Sequence, residues 1–256
     1  MIKKIFLLLM LHFLTSSLRM FGAGGYYDYL IIGKDTLRLY SNPYEVPAID
    51  ISKFYYGEPE YQTYWRLEDS MLFLVGIVKC NDKNNKVDLS LIFGNDFKNG
   101  RVFANWVSGE LIHPLGKRID FYDISSYESE DVFLFDKGSF IKNYKYDNSK
   151  TYKSIFTQNI DYALSFIYSK INWETIPSSD DSKKLVVLRI VSGEEKNKFQ
   201  ISMLGGIDSL YNNEALRVAK LIPEWDVLYL HGQPKKMFYF LKINFSNEMR
   251  LKYKRE

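Results

Sequence analysis

Near its end the chain alternates with a period of two. Met237, Tyr239, Leu241, Ile243 and Phe245 fall on one face of an extended run, and Phe238, Phe240, Lys242 and Asn244 on the other. A helix is predicted just upstream, where Ala215, Leu216, Ala219 and Ile222 recur at helical spacing. Asn212 is placed as its N-cap, and Tyr211 and Leu216 as a hydrophobic staple. Pro223 restricts Ile222 and stops the helix. Residues 231–234, His-Gly-Gln-Pro, make the turn into the strand. Further back, residues 185–192 and 199–203 read as two strands joined by a turn at 192–195. Residues 158–173 read as an amphipathic helix with Ile160, Ala163, Leu164, Ile167, Tyr168 and Ile171 on its apolar face. Leu216, Ala219 and Ile222 are expected to pack with Ile167 and Ile171 against a sheet face carrying Val187 or its neighbours.

The first half has a different texture. Residues 26–146 are rich in Tyr, Phe and β-branched residues and are cut often by Asn, Asp and Gly, the signature of an antiparallel β-rich domain. Residues 29–39 read as two strands around Gly33-Lys34-Asp35, and 62–79 as two more around Glu68-Asp69-Ser70. Residues 81–86 look like a polar turn and 88–93 like a short helix. One hairpin is expected from 100–109 with 110–113, and another around Asp136-Lys137-Gly138. Residues 146–155 look like a linker.

The N-terminus sets the compartment. Lys3 and Lys4 precede about ten apolar residues, 5–14, and Gly22-Ala23-Gly24 supply a small-residue cleavage site. Residues 1–24 therefore read as a secretory signal peptide. A membrane-spanning helix needs about 20 apolar residues, and Thr15, Ser16, Ser17 and Arg19 interrupt the run first. The whole chain has 34 basic and 31 acidic residues; removing Lys3, Lys4 and Arg19 with the signal leaves 31 against 31. A nucleic-acid binder keeps a basic excess, so nucleic acid is not an expected partner. The one cysteine, Cys80, has no partner for a disulfide within the chain and reads as a strand-end hydrophobe.

Candidate chemistry is sparse. Beyond the signal only His113 and His231 remain, and two isolated histidines without supporting ligands do not make a zinc site. Ser108-Gly109-Glu110 lacks the flanking glycines of a nucleophile elbow. Gly205-Gly206 ends a strand and is not a phosphate loop. Glu128, Glu130 and Asp131 read as a solvated acidic turn, since their spacing is not that of a calcium loop. No catalytic residue, metal or cofactor is assigned. Spatial pairing of carboxylates is not legible in a sequence, so a secreted enzyme with its site in the N-terminal domain stays open as an alternative.

Residues 156–247 resemble the C-terminal domain of the TonB family of bacterial energy transducers. The likeness rests on Asn212, Glu214-Ala215-Leu216, Glu224-Trp225, Gly232-Gln233-Pro234 and Ile243-Asn244-Phe245, in that order. The first half resembles segments that precede such domains in secreted bacterial proteins of unassigned role, through Lys34-Asp35-Thr36-Leu37, Asn42-Pro43 and residues 103–110. Two features depart from the family. The tyrosine–proline pair that usually opens the domain is missing, and the seven prolines are too scattered to form a spacer across the periplasm.

The resemblance implies an α+β protein: a β-rich antiparallel domain over 26–146, then a TonB-C-terminal-like domain of two helices packed on a three-stranded antiparallel sheet. It also implies a non-enzymatic module, periplasmic or secreted, that docks an extended segment of an envelope protein or outer-membrane receptor by strand addition. The implied binding residues are Lys236, Met237, Phe238, Tyr239, Phe240, Leu241 and Lys242. The same strand gives a route to a homodimer. An energy transducer for outer-membrane transport, held in the inner membrane by an uncleaved N-terminal anchor, is the alternative. Mass spectrometry of the N-terminus separates the two. The signal reading expects a mature chain starting near Ala23, and intact Met1-Ile2 in the inner-membrane fraction contradicts it.

Overall fold

The computed structural model describes residues 28–40, 61–79, 82–122, 124–177 and 184–253. The signal peptide, Asn42-Pro43 and Cys80 lie outside the described residues. The protein is α+β, and its chain divides at Lys145/Tyr146 into two compact units.

The first unit is one large sheet. β1 (Asp28–Ile32) and β2 (Asp35–Leu39) form the expected hairpin around Gly33-Lys34. β3 (Tyr61–Glu68) and β4 (Met71–Lys79) form the next. Asp69 and Ser70 turn this second hairpin with φ of 49° and 60°, the left-handed geometry that matches strand twist. β1 pairs with β3 in parallel, so the sheet is not antiparallel throughout as expected. Residues 82–86 are a strand, β5 (Asp82–Lys86), and not a turn, because they close back onto the end of β4. α1 (Leu89–Phe93) starts where expected, and Asp88 accepts the Ser90 N–H at 2.9 Å as its cap.

β6 (Phe97–Lys98) and β7 (Arg101–Phe103) turn tightly at Asn99-Gly100, and β7 also pairs with β4. β8 (Gly109–Phe121) pairs with β9 (Ile124–Asp136), and β10 (Ser139–Asp147) follows. The expected hairpin of 100–109 with 110–113 is therefore wrong. β7 spends its bonds on β4 and β6, and β8 spends its own on β9. The turn at Lys137-Gly138 is as read. A Cβ on Gly138 would meet the Ala104 carbonyl oxygen at 2.6 Å, so only glycine fits.

The strand path β2-β1-β3-β4-β10-β9-β8 curls until its ends meet. The Tyr40 N–H donates to the Ile112 carbonyl at 3.1 Å, and His113 Nδ1–H donates to the Arg38 carbonyl at 2.8 Å. Leu30, Leu39, Trp65, Leu72, Leu74, Leu111 and Phe135 fill the interior. The acidic trio proves not to be a turn: Glu128, Glu130 and Asp131 lie within β9, Glu130 and Asp131 paired with Pro114 and His113 of β8 and Glu128 at an irregularity in that pairing. Glu130 is fully buried, and its Oε1 accepts from the Tyr40 hydroxyl and, at 2.8 Å, from Ser126 Oγ.

The second unit begins inside the expected linker. Asn148 and Ser154 are fully buried, and Tyr152 exchanges two backbone bonds with Val227, at 2.8 and 2.9 Å. α2 (Ile155–Gln158) leads into α3 (Ile160–Ser169), capped by Asn159. β11 (Leu185–Val191) sits between β12 (Gln200–Gly205) and, on its other side, β15 (Phe238–Asn244), all antiparallel. α4 (Ser209–Ala219) follows β12. A small hairpin that the sequence reading lacked, β13 (Leu228–Leu230) with β14 (Gln233–Lys235), turns at His231-Gly232. α5 (Asn247–Tyr253) ends the description.

Val186, Leu188 and Ile190 of β11 are fully buried with Ala163 and Ile167 of α3 and Tyr211, Ala215, Val218 and Ala219 of α4. Val187 faces the other way. The cap of α4 is Asp208, whose Oδ1 accepts the N–H groups of Leu210 and Tyr211 at 2.9 and 3.2 Å, and not Asn212. Asn212 lies in the first turn and binds the Ile207 N–H at 2.9 Å. With the helix starting a turn earlier, Tyr211 is a core residue and the Tyr211/Leu216 staple does not form.

Asp28 carries a pH signature for the first unit. Burial pushes its carboxyl up to about 6, while hydrogen bonds from Thr63, including its N–H at 2.7 Å, pull the other way. A pKa raised in the folded state gives stability that is full below the unfolded value of 3.8 and is lost as pH rises through about 6. Asp28→Asn keeps the acceptor and removes the charge. Relative to the parent, the variant is expected to gain on the order of 2–3 kcal/mol between pH 4 and pH 7. Denaturant titrations at the two pH values check this, and a difference that does not change with pH contradicts it.

Candidate functional site

The outer face and free edge of the three-stranded sheet form the candidate site. Strand alternation builds it. β11 turns Val186, Leu188 and Ile190 into the core, which leaves Val187, Arg189 and Val191 on the outer face. In β15 the burial alternates in step. Phe238 and Phe240 are 53% and 62% exposed and Lys242 is exposed, while Tyr239 and Leu241 are half-buried and Ile243 is buried.

The backbone follows the same rhythm. Antiparallel neighbours exchange hydrogen bonds at every second residue pair. Ser192 N–H donates to the Met237 carbonyl at 3.0 Å, and Phe245 N–H donates to the Lys184 carbonyl at 2.9 Å. Between those fixed points the register pairs Ile190 with Tyr239, Leu188 with Leu241 and Val186 with Ile243. Those residues direct their backbone groups at β11. Phe238, Phe240 and Lys242 direct theirs away from it, along an edge where β15 has no neighbouring strand among the described residues. The edge is closed at one end, where Asn244 N–H donates to the Tyr168 hydroxyl at 2.9 Å.

Of the seven residues expected at the site, the structure thus gathers Lys236, Phe238, Phe240 and Lys242 on the exposed side. It turns Met237, Tyr239 and Leu241 inward. Met237 N–H donates to Ser192 Oγ at 2.8 Å. The Tyr239 hydroxyl donates to Asp226 Oδ2 at 2.8 Å, and its ring meets Trp225 edge-on at 5.4 Å. The other oxygen of Asp226, Oδ1, accepts Ser154 N–H at 2.6 Å and Thr157 Oγ1 at 2.7 Å. That buried carboxylate ties the start of α2 to β15 through neutral donors.

Arg189 is absent from the expected set, yet its guanidinium lies over the Phe238 ring at 4.3 Å. With Val191, Gln200, Ser202, Lys236 and Phe238 it lines an open groove of about 630 Å³. The alternation of residues 185–192 is the signal that puts it there.

Several other titratable groups of this unit are engaged in holding the fold. Glu224 accepts from the Tyr152 hydroxyl and from Lys196 Nζ at 3.2 Å. The tyrosine first, then the lysine, hold its carboxyl below the usual range, and Tyr152 is pushed up to about 12 in return. Glu214 is likewise held low, chiefly by Arg217, and accepts Asn172 N–H at 2.6 Å. His231 sits in the β13–β14 turn with φ of 51° and stacks on Tyr146 at 5.1 Å. Among the described residues no three metal-ligating side chains cluster, and no helix is long and apolar enough to cross a membrane. Comparison with models of known families, with curated proteins and with solved structures finds no match.

Proposed function

We propose that the second unit is a non-enzymatic docking module that captures an extended segment of another envelope protein by adding it as a strand beside β15. The observation that carries the reading is the coincidence of two alternations at Phe238, Phe240 and Lys242. Their backbone groups face away from β11, and their side chains stand exposed on the outer face. An added strand gains backbone bonds from the first and side-chain selectivity from the second. The likeness of residues 156–247 to TonB C-terminal domains supports the same mode. The signal-like N-terminus supports a periplasmic or secreted setting, with an envelope protein or outer-membrane receptor segment as partner.

Affinity capture from an envelope extract tests the reading, with the parent chain and Phe238→Ser/Phe240→Ser compared side by side. Both residues are exposed, so the double variant is expected to keep the parent's circular dichroism and melting temperature. It is expected to lose at least tenfold of the captured envelope protein. Equal capture by the folded variant moves the working surface to the first unit.

A further inference from the structure

We infer that the segment captured at β15 is acidic at both ends and apolar between them, with its two carboxylates about six residues apart on one face. The inference rests on the docking reading and adds the chemistry of the partner. The three strands of the sheet, LVVLRIV, QISMLG and FYFLKIN, contain no Asp or Glu. They do carry Arg189 and Lys242, and Lys236 lies one step beyond the ladder on the same face, lining the groove with Phe238. Neither Lys236 nor Lys242 forms an ion pair among the described residues.

Along the free edge the outward order is cation, aromatic, aromatic, cation: Lys236, Phe238, Phe240, Lys242. At roughly 3.3 Å per residue the two ammonium positions are about 20 Å apart. A strand laid beside β15 places alternate side chains directly across from these four. Carboxylates at its first and seventh positions face the lysines, and apolar residues at its third and fifth face the phenylalanines. Arg189 extends the positive field across the Phe238 ring, so an acidic partner is favoured at that end beyond the single lysine. The arrangement also disfavours a second copy as the occupant. Pairing of β15 with itself around Phe240 sets each Lys242 beside its partner's Phe238 and leaves every cation without a carboxylate.

The probe is a fluorescein-labelled peptide, Glu-Thr-Val-Thr-Val-Thr-Glu, and its twin with lysine at both ends, titrated against the full-length chain. Anisotropy is expected to give at least tenfold tighter binding of the acidic peptide, with the gap narrowing as salt is raised. Lys236→Glu/Lys242→Glu, changed only at exposed positions, is expected to fold as the parent and to prefer the lysine peptide. Equal binding of both peptides to the parent overturns the charge inference and leaves strand addition standing. Failure of both peptides to bind the folded chain overturns strand addition as well. A peptide-free chain that sediments as a dimer, and becomes a monomer with Phe240→Pro, assigns the edge to a second copy and overturns the proposal.

Discussion

One constraint organises the second unit: backbone bonding and side-chain direction alternate together along β15. Ile190, Leu188 and Val186 of β11 pair with Tyr239, Leu241 and Ile243, and those same three residues turn their side chains inward. What remains on the outside is therefore determined twice over. Phe238, Phe240 and Lys242 present both their peptide groups and their side chains away from the core. A one-residue slip of β15 would bury Lys242 and expose Ile243. The apolar inner row holds the register against that slip.

The rest of the unit supports the register. Asp226 grips Tyr239 through its hydroxyl and the start of α2 through Ser154 and Thr157. Each donor is neutral, so the carboxylate is satisfied by hydrogen bonds rather than by a buried ion pair, whose desolvation costs more than it returns unless its geometry is excellent. Tyr168 of α3 stacks on Tyr253 of α5 at 5.1 Å, and its hydroxyl oxygen accepts the Asn244 N–H, which ends the open edge. The site is thus three residues of free edge on a strand clamped at both ends.

Much of this was legible in the sequence, because period-two alternation survives any tertiary context. It located the strands at 62–79, 185–192 and 237–245 and separated the two faces of the last, though not which of them points outward. Asp88 was legible as part of a helix start because a carboxylate before an apolar run is a strong local signal. The misreadings were non-local or one turn out of phase. Asn212 and Asp208 are both good caps, and counting Tyr211 with Ala215, Val218 and Ala219 would have moved the start back one turn. The parallel pairing of β1 with β3 and the burial of Glu130 depend on contacts far along the chain, and Asp82–Lys86, polar throughout, is a strand only because it folds back onto the end of β4. Arg189 escaped notice at the site because its contact with the Phe238 ring exists only once β11 and β15 are paired.

Hydrogen exchange along β15, read residue by residue by NMR in the dilute full-length chain, tests the central claim most directly. The account predicts strong protection at Tyr239, Leu241 and Ile243 and exchange at least a hundredfold faster at Phe238, Phe240 and Lys242. Uniform protection of all six amides would contradict it, since the outer edge would then already be bonded.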